Sequence, residues 1–141
     1  MKKIEPRSGC PISFTLDFLG DKWTLLILRD MVVGGKSSYG DFLSSNEKIA
    51  TNVLADKLNK LEEYGFVTKK VSAEKKNKFL FTLTKKAIDL VPIIMEMTIW
   101  GSTYNPPGNP ELLKALTEDK EGTIRQYQQK LVQVLDAGAK V

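Results

Sequence analysis

The period of the sequence changes at Gly65, and that change limits what the chain can fold into more than any other feature. Before it, Ile49, Val53, Leu54, Leu58, Leu61 and Tyr64 recur at helical spacing and form one broad apolar face. The opposite face carries Thr51, Asn52, Ala55 and Asn59, with almost no positive charge. Gly65 stands where such a helix ends on a left-handed residue, a conformation that costs glycine little. Beyond it, Phe66–Val71 and Lys78–Leu83 are β-prone runs flanking the polar SAEKKN, which predicts a hairpin. A two-stranded ribbon is marginal in water, so Val71, Phe79 and Phe81 are expected to hold it against helices.

The flanking segments predict a mainly α chain around this hairpin. Pro11 opens a helix that runs to Leu19, and Asp21 caps the apolar KWTLLILRDMVV, which Gly34 and Gly35 end. Ser37 or Ser38 caps a short helix YGDFLSS with Tyr39, Phe42 and Leu43 inward, and a turn through Asn46 and Glu47 leads to the patterned helix. After the hairpin, Thr84 is expected to cap one helix, KKAIDLVPIIMEMTIWGSTY, kinked at Pro92 and apolar on both sides. One side would carry Ile88, Val91, Met95 and Ile99, the other Leu90, Ile93, Ile94 and Met97, which suits a helix shared with a second copy. NPPGNP reads as a linker, Asn109-Pro110 starts another helix, and Ile124, Tyr127, Leu131, Val134 and Leu135 form a final stripe. The chain thus divides at residues 1–104 and 105–141, the second part a helical extension for packing or dimerisation.

Several function classes lose their usual residues. The 141 residues contain no histidine and one cysteine, which removes imidazole acid–base catalysis, Ser-His-Asp and Cys-His pairs and the common zinc sites. No Gly-rich phosphate loop of the nucleotide-binding types is present, so an enzyme is the minority reading and no cofactor or metal is expected. The N-terminus has no apolar run of a secretory signal, and the apolar clusters fall far short of a membrane span, so a cytoplasmic protein without a membrane partner is expected.

Charge is more informative by position than in total. The net charge is +4, yet Thr68–Lys86 holds seven lysines against Glu74 alone, a net +6. A basic block after a patterned helix is the electrostatic footprint of a nucleic-acid binder, although a solvated lysine-rich loop has the same composition.

The order of helix, helix, short capped helix, turn, patterned helix and basic hairpin is that of a winged helix-turn-helix, in which the patterned helix enters the major groove. Asn52 and Asn59 are then suited to bidentate contact with adenine, and Thr51 and Ala55 to thymine methyls. Phosphate contacts would come from Ser37, Ser38, Tyr39 and Lys48, and from Lys75, Lys76 and Lys78 at the hairpin tip. Lys57 lies nearer the apolar side, where its stem would pass the core to reach DNA backbone or an acid. A polar solvated face, or a winged-helix module that binds protein without specific DNA binding, fits the same pattern.

The segments CPISFTLDFLGDKWTLLILRDM, SYGDFL, IATNVLADKLNKLEEYGFV, FTLTKKAIDLVP and IWG, in this order over Cys10–Gly101, resemble the HxlR-type helix-turn-helix regulators, relatives of the MarR winged-helix group. The resemblance implies a bacterial transcriptional regulator that works as a homodimer on double-stranded DNA, with contacts from the N-terminal helix and the helices after the wing. Phe14, Phe18, Met95, Ile99 and Trp100 are the dimer contacts expected on that basis. A cysteine before the proline is common in that family, and some members sense oxidants or electrophiles with it, which makes Cys10 a candidate redox sensor. The chain departs from the family in Ala87, where glycine is usual, in a wing of KKNK where prolines are frequent, and in a longer tail.

Overall fold

The computed structural model describes residues 1–139, which fall into two compact units, Met1–Thr84 and a second beginning at Lys85. The division lies earlier in the chain than the one after residue 104 that the sequence suggested. No helix among the described residues is long and apolar enough to cross a membrane.

In the first unit the elements are α1 (Pro11–Leu19), α2 (Lys22–Val32), α3 (Tyr39–Leu43), α4 (Thr51–Glu63), β1 (Val67–Val71) and β2 (Phe79–Leu83). Local chemistry sets their ends. The Asp21 carboxylate accepts the Trp23 N–H at 3.1 Å and so starts α2. Ser38 and Asp41 cap α3 reciprocally, the Ser38 hydroxyl accepting from Asp41 N–H while the Asp41 carboxylate accepts from the Ser38 N–H, each at 3.2 Å. Gly65 has φ +80° and stops α4, where a side chain would also run into Met1.

The core of this unit forms where the apolar faces of α2, α3 and α4 meet the base of the hairpin. Ile27, Leu28, Phe42, Leu54, Leu58, Phe66 and Phe81 are all buried there. The strands are antiparallel and pair Val67 with Leu83 and Val71 with Phe79. Phe81 N–H donates to the Ser37 carbonyl at 2.8 Å, and the Phe81 ring meets Tyr39 and Phe42 edge-on at 5.4 and 6.5 Å. This is how a ribbon too short to stand alone gains support.

The expectations for Val71, Phe79 and Leu43 fail here, and Thr84 is engaged elsewhere. Val71 is 54% exposed and Phe79 also faces out, because both sit at the far end of the ribbon, so Phe81 and Leu83 do the anchoring. Leu43 is exposed, since the five residues of α3 turn only Phe42 fully inward. Thr84 gives its hydroxyl to the carbonyls of Gly65 and Phe66, which ties the end of β2 to the start of β1.

The second unit contains α5 (Lys85–Ile88), α6 (Val91–Tyr104), α7 (Pro110–Glu118) and α8 (Lys120–Ala139). The single kinked helix expected from the sequence is two helices. Leu90 N–H bonds to Ala87 O in a tight turn, and Pro92 lies in the first turn of α6, where its missing N–H costs nothing. Asn109 caps α7 by accepting from Leu112 N–H at 3.1 Å. α7 and α8 pack on each other and on α6, and Lys120 on α8 meets Glu96 on α6 at 2.7 Å.

Candidate nucleic-acid interface

The path from α2 to α4 is held by one arginine. Arg29, near the end of α2, grips Glu47 in the turn before α4 with two hydrogen bonds, Nη1 to Oε1 at 2.6 Å and Nη2 to Oε2 at 3.0 Å. Its Nε and Nη2 also reach Asp30 Oδ1, at 3.1 and 2.8 Å, and Ser45 donates its hydroxyl to Glu47 at 2.5 Å. A bidentate guanidinium–carboxylate pair fixes orientation as well as charge. It sets where the chain enters α4.

These bonds leave a titration signature. Arg29 and Ser45 pull the Glu47 carboxyl from its ordinary 4.5 down to about 2, and Glu47 and Asp30 hold the guanidinium proton more tightly than usual. Because the folded value lies below the unfolded one, the stabilisation is complete above pH 4.5 and is lost as pH falls through about 2. Glu47→Gln is therefore expected to be less stable than wild type above pH 4.5 and to lose less on acidification, as read from denaturant midpoints across that range. Parallel curves for the two proteins would remove this role. The backbone N–H groups of Ser37 and Ser38 likewise lower Asp41.

Within the turn, Lys48 has φ +55°, an uncommon backbone for a residue with a side chain. Its side chain is exposed just before α4. Ile49, outside the helix, is buried and anchors the same turn.

α4 presents the residues the sequence singled out. Thr51, Asn52 and Asn59 are exposed and Ala55 half-buried, while Leu54, Leu58 and Leu61 are buried on the opposite side. Asp56 is the residue that sequence reasoning missed. It stands four residues after Asn52 and three before Asn59, exposed on the same face, with Lys60 at 3.3 Å and Lys57 at 3.9 Å. The helical spacing from Asn52 was the signal that would have found it. A carboxylate has the chemistry to accept from the cytosine amino group.

Lys57 does reach an acid, Asp21, at 2.6 Å. Burial raises the Asp21 carboxyl, but its hydrogen bonds to Lys57, Trp23 and Thr24 outweigh that and leave it below its usual value. The cap of α2 is thereby tied to α4.

Of the phosphate candidates, Ser38 is buried, its N–H given to Asp41 and its hydroxyl oxygen accepting in the α3 cap, so it presents little surface to a phosphate. Ser37 and Tyr39 are half-buried at the start of α3. Lys75, Lys76 and Lys78 are exposed at the wing tip, and Lys69 lies over the Phe79 ring at 4.1 Å from its centroid, which keeps an apolar ring beside a cation on the ribbon.

The expected dimer contacts divide. Met95 is 0% exposed and has no surface left for a second copy. Ile99 is half-buried. The outward stripe of α6 is Ile93, Met97, Trp100 and Tyr104, with Trp100 69% exposed. Met97, two residues on from Met95, is 52% exposed. On α1, Phe18 is half-buried and packs edge-on against Phe14, Tyr64 and Phe66 of its own unit at 5.1–5.6 Å. Phe14 remains exposed, together with Ile12 and Leu16. Cys10 is exposed at the start of α1, and its thiol is not in a disulfide.

Comparison with known proteins agrees with this architecture. A profile described as HxlR-like helix-turn-helix matches residues 18–109. The chain is similar to YybR, an HTH-type transcriptional regulator of Bacillus subtilis, with 33% identity over 72% of this chain and 82% of that one. Among solved structures it resembles the redox regulator HypR in its reduced form, at TM-score 0.60 and 31% identity over 69% of this chain and 95% of that one. The reduced form of the transcriptional regulator YodB from B. subtilis aligns at TM-score 0.56 and 27% identity, over 72% of this chain and 100% of that one. With a helix-turn-helix, a two-stranded wing and a family match over most of its length, the chain belongs to the HxlR-like helix-turn-helix family of transcriptional regulators.

Proposed function

We propose that the chain acts as a homodimer that binds a pseudo-palindromic operator and reads it with α4. The observation that carries this reading is the outward face of α4, where Thr51, Asn52, Asp56 and Asn59 are all exposed and offer hydrogen-bonding groups rather than unpaired lysines. Phosphate attraction falls to Lys75, Lys76 and Lys78 on the wing, with Lys48, Ser37 and Tyr39 near the helix starts. Two such helices would enter successive major grooves about 34 Å apart.

A salt series on random and operator-selected duplex tests the reading. Affinity is expected to fall steeply with salt for both DNAs, and Lys76→Ala to weaken both alike with a slope smaller by about one unit. Undetectable binding at low salt would favour the rival, a winged-helix module that binds protein. The relatives HypR and YodB are solved in reduced forms, and HypR is called a redox regulator, which supports an oxidant-sensing role for exposed Cys10. The same titration after mild oxidation is then expected to shift in wild type and to stay put in Cys10→Ser.

Dimer contacts are assigned to Ile12, Phe14 and Leu16 on α1 and to Ile93, Met97, Trp100 and Tyr104 on α6, apolar side chains left facing solvent by their own units. Met97→Asp and Trp100→Ala are expected to move the protein toward monomer in sedimentation, with helix content retained. An unchanged dimer in both would move the interface elsewhere.

A further inference from the structure

Within the first unit, a cleft of about 170 Å³ opens between α1 and the C-terminal half of α4. Its apolar wall is aromatic: Phe18 meets Tyr64 and Phe66 edge-on, with ring centroids 5.6 and 5.1 Å apart. Its polar rim holds Asp17, Asp21, Lys57 and Lys60.

The charges of that rim are almost fully occupied by one another. Asp21 takes the Trp23 N–H, the Thr24 hydroxyl and the Lys57 ammonium, the last at 2.6 Å. Lys60 faces Asp56 at 3.3 Å. Asp17 Oδ1 takes Arg7 at 2.9 Å. What is left is Asp17 Oδ2, a buried carboxylate oxygen with no hydrogen-bond partner, on a residue that lines the cleft. Buried polar atoms are nearly always paired, because an acceptor taken out of water and given no donor is costly.

We propose that this cleft binds a neutral, single-ring aromatic molecule that carries one O–H or N–H donor. The ring lies on the wall of Phe18, Tyr64 and Phe66, and the donor faces Asp17 Oδ2. Size sets the single ring, since an apolar cavity of about 150 Å³ is known to accommodate benzene. Charge balance sets neutrality. An anion would face Asp17, and a cation would meet Lys57 and Lys60 unless the existing ion pairs broke. The cleft shares α4 with the outward face, and Lys60 on its rim is the partner of Asp56 on that face. Occupancy therefore bears on the DNA-reading surface. That consequence rests on the function proposed above, whereas the binding itself does not.

The test is a ¹⁵N NMR titration of the full chain, without DNA, using phenol and anisole, which share a ring and differ in the donor. Phenol is expected to bind saturably and about tenfold tighter than anisole, the scale of one net hydrogen bond to a charged acceptor. Shifts should centre on Asp17, Phe18, Tyr64 and Phe66, and Asp17→Ala should erase the preference for phenol. Equal affinities in wild type, no saturation with phenol, or shifts centred on Met97 and Trp100 would overturn the assignment. The wild-type comparison decides even if Asp17→Ala fails to fold. With DNA absent, a failure here is separate from any failure of base reading.

Discussion

Phe42→Ala is expected to destabilise the first unit by about 3–5 kcal/mol, the range for deleting a fully buried aromatic side chain. Phe42 is 0% exposed, the innermost side chain of α3, and its ring sits against Phe81 of the wing. Alanine would leave a cavity where α3, α4 and the hairpin converge, and the short capped α3 has no other fully inward residue to compensate. A loss of that size is comparable to the whole stability of many small domains. Hydrogen exchange of the α4 amides is the measurement, because it reports opening of this unit alone. Protection in α4 should fall by about two to four orders of magnitude, what 3–5 kcal/mol implies. Near wild-type protection would mean that α4 is held in place by something other than this cluster.

Asn52→Ala should cost the preferred operator about 1–3 kcal/mol per half-site, the loss of one bidentate base contact, while affinity for random duplex stays the same. The contrast matters more than the size. Lys76→Ala acts through phosphate charge and should lower both affinities together, so the ratio of specific to random binding separates the two roles. If Asn52→Ala and Lys76→Ala lower both affinities equally, α4 does not read bases through Asn52. The neighbouring Asp56 gives a second handle, since Asp56→Ala should relax discrimination at a different base step while freeing Lys60 for phosphate.

The features that were legible in the sequence are those whose chemistry is local. Asp21, Asn109 and Gly65 each end or begin a helix through bonds or backbone angles within a few residues, and a reader of the sequence needs no distant partner to place them. The apolar face of α4 was equally plain, since a 3.6-residue period records which side must be covered. The family resemblance was legible for a related reason, because its segments follow one another in order along the chain.

What escaped depends on groups far apart in sequence. Met95 and Met97 are chemically alike and two residues apart, and only the packing of α7 and α8 on α6 decides that the first is core and the second outward. Phe79 and Phe81 differ in the same way through their distance along the ribbon from Phe42. Pro92 begins a helix because the chain turns at Leu90, which the apolar pattern across it did not reveal. Arg29 and Glu47 are eighteen residues apart and find each other only once α2 and the turn before α4 are in place.

The sequence by itself determined the order of elements, the caps at Asp21 and Asn109 and the scarcity of positive charge on the α4 face, because propensity, period and capping act over one or two turns of chain. The tertiary structure alone decided which apolar side chains were left outward, which serine was consumed as a cap, and that Asp17 would line one cleft with Phe18, Tyr64 and Phe66 and keep one buried oxygen unpaired. Burial and partnership are properties of the space between elements, and no single stretch of sequence contains that space.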